Sequence, residues 1–260
     1  MRIKQKKRLG QNFLRDKNSQ YKIISLCGFH PDDIVLEIGA GTGDVTALIS
    51  RLVKNVYAVE IDKRFIEVLQ DKFVNSNVSV INSDILKLDF GKVFIPAQRK
   101  IKVFGNIPYY ITTPIIEFLI DHKPMIKEAY LTVQKEFAER ICAKPGTKEY
   151  GAFTIFIGYH FNAQALAVIK KEAFVPVPKV DSCLLGLAVR ERPVVELKDE
   201  GLFFRLVRSA FNQRRKMLLN SLGKIVPKAK LQLFFKTYKI NPRIRPEDLS
   251  LQDFANLANL

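Results

Sequence analysis

Short apolar runs alternate with amphipathic segments through the first half of this chain. Five apolar runs have the length and the β-branched content of buried strands, namely 34–38, 56–59, 78–81, 100–104 and 129–133. Helical spacing of apolar residues is found in 17–29, 45–53, 65–73, 115–120 and 135–143. Strands that alternate with helices in this way predict a doubly wound α/β domain with a mostly parallel sheet, so we expect ligands beyond the carboxyl ends of the strands.

The second half of the chain has a different pattern. The apolar run 151–161 fits either a helix or a strand, and we interpret it as core. Two strands are predicted at 163–170 and 182–190, and the link between them is too short for a helical crossover, which favours a hairpin. After Arg192-Pro193 the spacing is helical with proline breaks. The predicted domains are a main α/β domain over 1–192, with a basic arm at 1–15, and a small all-α domain over 193–260.

Composition narrows the class of partner. Lys and Arg number 42 against 26 Asp and Glu, which gives a net charge of +16 and indicates a polyanionic partner, either nucleic acid or an acidic membrane surface. The three cysteines and three histidines lack metal-ligand spacing, so we expect no metal site. No apolar stretch reaches the roughly 20 residues of a transmembrane helix and none resembles a signal peptide, so we expect a cytoplasmic protein.

Three glycines follow the first strand as Gly39-x-Gly41-x-Gly43, and acidic residues end the next two strands. The glycines allow close approach of the backbone to a ligand, but Asp44 stands where the dinucleotide fingerprint has glycine. Glu60 can accept hydrogen bonds from both ribose hydroxyls, with Asp62 as a nearby competitor, and Asp84 can accept from an adenine amine. Singly these residues fit a plain turn and solvated acids. Together they predict an adenosine-bearing cofactor, and the absence of a P-loop lysine motif disfavours ATP.

Asn106-Ile107-Pro108-Tyr109 follows the fourth strand and is the candidate catalytic segment. Pro108 fixes the backbone and orients the preceding carbonyl. That carbonyl and the Asn106 amide oxygen can accept both hydrogens of an exocyclic amine, which aims the lone pair of adenine N6, a poor nucleophile, at a methyl sulfonium. Tyr109 can stack on a flipped base, and Phe174, on a proline-braced loop, is a candidate for the opposite side of that base. The alternatives are a structural turn for the segment and core packing for Phe174.

Basic residues gather near both ends of the chain. The candidates for phosphate contacts are Lys4, Lys7, Arg8, Arg214, Arg215 and Lys216. Such contacts supply affinity but little sequence information. An ordinary solvated face is the alternative for each of them.

Several of these segments together resemble the ribosomal RNA adenine N6,N6-dimethyltransferase family, of the KsgA type. The resemblance runs through nearly the whole chain, and its segments are Lys7–Leu14, Val35–Gly43, Asn106–Pro114, Gln134–Glu136, Phe174–Ser182 and Phe211–Leu218. It implies a Rossmann-like class I methyltransferase domain with a mostly parallel seven-stranded sheet. It also implies S-adenosylmethionine (S-adenosyl-L-methionine) as the cofactor and a helical C-terminal domain that binds RNA.

The resemblance further implies site residues and a substrate. The implied cofactor contacts are Asn12, Leu14, Gly39, Gly41, Glu60, Ile61, Asp84, Ile85 and Asn106. The implied reaction is dimethylation of N6 on two adjacent adenosines near the 3′ end of 16S rRNA, on the small ribosomal subunit during ribosome biogenesis. The sequence shows no obvious interface, so we expect a monomer. A 23S rRNA methyltransferase of the macrolide-resistance type and an RNA-binding assembly factor on a methyltransferase scaffold stay open as alternatives. A DNA adenine methyltransferase would ordinarily need a larger target-recognition domain than 193–260.

Overall fold

The computed structural model describes residues 10–94 and 99–260. Its strands, in chain order, are β1 Phe13–Leu14, β2 Ile34–Ile38, β3 Asn55–Glu60, β4 Val78–Asn82, β5 Ile101–Asn106, β6 Ile126–Gln134, β7 Phe161–Ile169, β8 Phe174–Val175 and β9 Ser182–Val189. Seven of these form the main sheet in the order β4-β3-β2-β5-β6-β9-β7. The pairs from β4 to β6 are parallel and the β6–β9 pair is antiparallel. The predicted Rossmann-like fold with a mostly parallel, seven-stranded sheet is confirmed.

The chain changes direction within the sheet between β2 and β5. From β2 it proceeds outward through β3 and β4, and it then returns to place β5 on the other side of β2. Ligands of open α/β sheets bind at such a switch point, beyond the carboxyl ends of the strands. Gly39 follows β2, Glu60 ends β3, and Asn106 ends β5. The topology therefore brings these three predicted site residues to one edge.

The helices are α1 Lys17–Leu26, α2 Asp44–Ile49, α3 Lys63–Lys72, α4 Phe90–Phe94, α5 Thr112–Asp121, α6 Lys135–Ile141, α7 Ala152–His160, α8 Glu200–Asn212, α9 Leu218–Leu222, α10 Lys228–Thr237 and α11 Leu251–Asn259. The ambiguous run 151–161 is thus mainly helix α7, and its Ile155 and Ile157 are buried. The predicted strands at 163–170 and 182–190 are β7 and β9, which are neighbours in the sheet. Helix α4 and the β1–β8 pair were not predicted, because segments of two to five residues show no measurable periodicity.

Contacts divide the chain into two compact units. The first consists of the described residues up to Ala138 together with Gln164–Val189, and the second of Glu139–Ala163 and Arg190–Leu260. The second unit has its own core, in which Phe203, Phe234 and Phe254 are fully buried. Residues 139–163 therefore group with the C-terminal helices, whereas the sequence pattern assigned them to the domain over 1–192. No helix among the described residues is long and apolar enough to cross a membrane.

Candidate active site

A cavity of about 290 Å³ lies in the first unit at the carboxyl edge of the sheet. Eight residues predicted from the sequence line it, namely Asn12, Gly39, Glu60, Ile61, Asp84, Ile85, Asn106 and Pro108. Four other predicted residues, Leu14, Gly41, Tyr109 and Phe174, lie outside its lining. The size suits a small-molecule ligand, and Glu60, at the end of β3, and Asp84, just after β4, share this cavity with the candidate catalytic segment.

Glu60 is the carboxylate at the centre of this edge. Its side chain is 4% exposed, and its two oxygens accept backbone N–H groups from Gly41 and Asp62, each at 2.8 Å. Burial raises the pKa of Glu60 above its usual value, and the two backbone hydrogen bonds oppose that rise. Each carboxylate oxygen has a second lone pair, so Glu60 can still accept a hydroxyl at each oxygen.

Asp62, the second acid near this strand end, makes its contacts within helix α3. It is the N-cap of α3, and its carboxylate forms an ion pair with Arg64. Its side chain does not line the cavity. Two acids two residues apart thus have separate tasks, because an extended residue at a strand end directs Glu60 to the ligand edge while Asp62 satisfies the first turn of the helix.

Glu37 is a buried acid that the sequence analysis did not assign to the site. It lies in β2, is 3% exposed, and its Oε2 atom has no hydrogen-bond partner among the described residues. Burial, with the nearby Glu60 charge as a smaller cause, raises the pKa of Glu37 to about 8. Burial therefore favours the neutral, protonated form of Glu37.

The glycine loop between β2 and α2 has a left-handed backbone at three positions. The φ angles of Gly39, Gly41 and Gly43 are +76°, +55° and +71°. A Cβ at Gly41 would lie 2.8 Å from the ring of Phe13, and one at Gly43 would lie 2.8 Å from Leu69 and Phe73. A Cβ at Gly39 would meet no described atom within 4 Å, although Gly39 lines the cavity. The loop therefore packs tightly at two glycines and leaves room for a ligand at the first.

These contacts predict that substitution of Gly43 chiefly lowers stability, whereas substitution of Gly39 chiefly weakens cofactor binding. Both Gly39→Ala and Gly43→Ala incur the cost of a left-handed alanine, about 1 kcal/mol. Gly43→Ala adds a clash with buried side chains, so we expect it to lower the free energy of unfolding by about 2–3 kcal/mol in total. Gly39→Ala projects its methyl group into open space at the cavity and should chiefly weaken cofactor binding. Urea unfolding and calorimetric titration of both variants check this, and equal effects on both quantities would contradict it.

The Asn106 side chain is oriented by the N-terminal segment. Its Nδ2 atom donates to the backbone carbonyl of Asn12 at 2.9 Å. A carbonyl can only accept, so the amide nitrogen faces Asn12 and the amide oxygen Oδ1 is directed elsewhere as an acceptor. Pro108, two residues later, also lines the cavity, with φ −60° and ψ 135°. The segment thus presents an oriented acceptor beside the cavity.

Tyr109 and its neighbour Tyr110 have different environments. The hydroxyl of Tyr109 is 2.7 Å from Ser182 Oγ, and burial raises the pKa of this phenol, so it stays neutral. Tyr110 is 62% exposed and lines the cavity. Tyr109 was predicted from the sequence, whereas Tyr110 and the cavity residues Phe13, Ser83 and Leu86 were not. Each of these four residues lies within one or two positions of a predicted site residue, and this is the signal in the sequence that could have identified them.

Leu14 and Phe174 face each other across the short β1–β8 sheet. Strand pairing places Leu14 opposite Phe174 and Phe13 opposite Val175. Leu14 is 4% exposed and Phe174 is 1% exposed, and both belong to one hydrophobic cluster of the first unit. In this arrangement the ring of Phe174 packs in the core, which was the alternative to base stacking. The same strand pair holds the Asn12 segment against the proline-braced loop.

The basic residues predicted to bind RNA differ in their burial and in their contacts. Arg214 is half-buried, forms an ion pair with Glu247, and donates to the carbonyl of Thr147. These contacts join parts of the second unit, so Arg214 has a structural partner. Arg215 and Lys216 are exposed. Lys4, Lys7 and Arg8 lie outside the described residues.

Known proteins are similar to this chain over almost its whole length. A relative from Caldanaerobacter subterraneus subsp. tengcongensis, named ribosomal RNA small subunit methyltransferase A, is 46% identical and covers 99% of this chain and 97% of its own length. A protein of the same name from Streptococcus agalactiae serotype V is 43% identical over 98% of this chain and 91% of its own.

Two solved structures are similar over almost the whole chain. A dimethyladenosine transferase from Plasmodium falciparum has a TM-score of 0.80 and 28% identity, covering 94% of this chain and 95% of its own. The 23S rRNA methyltransferase ErmE has a TM-score of 0.76 and 26% identity, covering 95% of this chain and 98% of its own. The family model described as ribosomal RNA adenine dimethylase matches residues 2–260, and the chain belongs to that family.

Proposed function

We propose that this protein is an S-adenosylmethionine-dependent enzyme that dimethylates adenine N6 of two adjacent adenosines near the 3′ end of small-subunit (16S) rRNA. The observation that carries the proposal is the Asn106 amide, which is oriented by the Asn12 carbonyl and lines the same cavity as Glu60. The choice of the small subunit is supported by relatives of that name at 43% and 46% identity.

The residues present fit S-adenosylmethionine. Glu60 has an acceptor lone pair left on each oxygen, as two ribose hydroxyls require. The Asp84 carboxylate accepts the backbone N–H of Leu86 at 3.1 Å, and Ile61 and Ile85, which also line the cavity, supply apolar surface for a flat base. The Gly39 position is open where a side chain would fill space. S-adenosylmethionine supplies a methyl group bound to a positively charged sulfur, which makes that carbon electrophilic.

The chain's own residues then act on the target amine. We propose that Asn106 Oδ1 accepts one N–H of adenine N6 and the backbone carbonyl before Pro108 accepts the other. Two acceptors localise the nitrogen lone pair, which otherwise spreads into the ring, and they stabilise the positive charge that develops as the methyl group is received. The proton leaves after transfer, when the nitrogen is strongly acidic, so a strong base is not needed. The neutral phenol of Tyr109 is in keeping with this, because it serves as a surface and not as a base.

Several residue assignments belong to this proposal. Tyr109 and the exposed Tyr110 are proposed to contact the target base. A stacking role for Phe174 requires its ring to leave the core, because it is 1% exposed. Leu14 is proposed to shape the pocket through the β1–β8 pair. The cations Arg215 and Lys216, with Lys4, Lys7 and Arg8, are proposed to contact RNA phosphates, and a monomeric, cytoplasmic enzyme stays a prediction.

The second candidate function is methylation of large-subunit rRNA. It has support from the fold of ErmE, but that structure is 26% identical, well below the relatives named for the small subunit. The two functions are separated by labelled methyl transfer to purified ribosomal particles. We expect incorporation into immature small subunits that lack the modification. Labelling confined to large subunits, or to free DNA, would overturn the small-subunit assignment.

A further inference from the structure

A second groove lies wholly within the C-terminal helices of the second unit. It is an open depression of about 640 Å³ between α9, the end of α10 and the segment that follows α10. Its apolar surface comes from Leu219, Phe235 and Pro242, and its polar rim from Gln232, Lys236 and Lys239. Apolar side chains beside two cations are the combination that a nucleotide ligand requires.

The groove lies in a part of the sequence whose charged residues are all basic. Between residues 201 and 245 the chain has twelve Lys or Arg residues and not one Asp or Glu. Some of these cations are already engaged: Arg214 with Glu247, and Arg205 more weakly with Asp199. Lys236 and Lys239 are exposed, and neither forms an ion pair with an acid among the residues that the structure describes. Unpaired cations in an acid-free stretch favour a polyanion as ligand.

The backbone at Lys239 is unusual for a lysine. Helix α10 ends with the N–H of Ile240 donating to the carbonyl of Phe235 at 3.0 Å, which is a Schellman cap. Lys239 occupies the left-handed position of that cap with φ +54°, where glycine is preferred. A residue with a Cβ is thus kept at a position that disfavours it, and its side chain lines the groove. The backbone supplies no reason for lysine at this position.

We infer that this groove binds one unpaired ribonucleotide of the RNA substrate, an inference that rests on the proposed function. The apolar surface receives the base, and Lys236 and Lys239 neutralise the flanking phosphates. Asn241 can contact a base edge, because its Oδ1 already accepts the N–H of Arg243 and its amide N–H groups point away from that bond. A regular duplex does not present a splayed base, so the groove selects single-stranded or looped RNA.

The left-handed position of Lys239 allows its charge to be removed without an expected loss of stability. Lys239→Gly removes a cation and replaces a disfavoured residue by the preferred one, so thermal stability should stay equal or rise. We combine it with Lys236→Ala, and the matched control is Lys224→Ala with Lys228→Ala, which removes the same charge from the same acid-free stretch outside the groove. The probes are a fluorescein-labelled single-stranded RNA of about ten nucleotides and its duplex, measured by anisotropy over a range of salt.

We expect the groove variant to bind the single strand about tenfold more weakly, with the slope of log affinity against log salt reduced by about 1.4 for two lost phosphate contacts. Lys236→Ala alone, which leaves the cap unchanged, should lower the slope by about half as much, about 0.7. The control pair should change affinity less, and duplex binding should change no more in the groove variant than in the control. Equal losses in groove and control variants, or equal losses for single strand and duplex, would refute the inference.

Methyl transfer separates this inference from the proposed function. With immature small subunits at saturating concentration, the groove variant should keep the kcat of the wild type while kcat/KM falls. A groove variant with wild-type affinity and wild-type kcat/KM would overturn the groove alone. A wild-type enzyme that transfers no methyl group to small subunits would overturn the proposed function itself.

Discussion

Replacement of Asn106 by alanine is expected to lower kcat for methyl transfer by about 10²–10³-fold, since it removes one of two acceptors that stabilise the developing charge on the target nitrogen. The amide contributes to the cavity rim, so the Kd for S-adenosylmethionine should rise modestly, by less than about tenfold. The loss of the hydrogen bond to Asn12 should lower the free energy of unfolding by about 1 kcal/mol. Single-turnover kinetics and calorimetric titration of the same preparation measure these quantities.

The matched control is Asn77→Ala. The Asn77 amide donates to the backbone carbonyls of Ser50, Val53 and Lys54, and the residue does not line the cavity. This variant should lose more stability than Asn106→Ala because it leaves three carbonyls without their donor, yet it should keep the wild-type kcat when folded. Unchanged turnover in Asn106→Ala would show that the segment is only a turn.

Replacement of Glu60 by alanine has the second largest expected effect. We expect the Kd for S-adenosylmethionine to rise about 100-fold, because two hydrogen bonds to a charged acceptor contribute about 3 kcal/mol together. The backbone N–H groups of Gly41 and Asp62 would also lose their acceptor, which should lower the free energy of unfolding by roughly 2–4 kcal/mol. Calorimetric titration below the unfolding temperature of the variant gives the Kd.

Asp62→Asn distinguishes the two neighbouring acids. Asparagine can still accept at the N-cap of α3, while the ion pair with Arg64 is lost. The backbone N–H of residue 62 still donates to Glu60, so we expect a Kd within about twofold of the wild type. Cofactor binding that weakens as much in Asp62→Asn as in Glu60→Ala would mean that the ribose acceptor has been misassigned.

The fold and the cofactor end of the site could be predicted from sequence because their signals are local. Each buried strand is a short apolar run. Gly39 and Glu60 come directly after two of these runs and Asp84 comes three residues after a third, so the parallel topology alone brings them to one edge. The choice between Glu60 and Asp62 could not be made in this way. It depends on the capping of α3 by Asp62 and on the contact of Glu60 with Gly41, nineteen residues away.

Contacts between distant segments set the limits of the sequence analysis. Phe174 is buried because Leu14, 160 positions earlier, pairs with it in a two-residue strand that has no periodicity. Arg214 lies in a basic signature, but its partner Glu247 is 33 residues away and gives it a structural contact. Residues 139–163 have the pattern of the main domain yet group with the C-terminal helices. In each case the environment of the residue depends on tertiary contacts, which residue type alone does not predict.

Dimethylation of small-subunit rRNA by this protein is tested by identifying the modified nucleosides in rRNA after reaction. Immature small subunits, S-adenosylmethionine and the purified protein are incubated, and the rRNA is digested and analysed by mass spectrometry, with Asn106→Ala treated in parallel. The account predicts N6,N6-dimethyladenosine at two adjacent positions near the 3′ end of the small-subunit rRNA with the wild type, and none with the variant. Dimethyladenosine only in large-subunit rRNA, or equal amounts with both proteins, would contradict it.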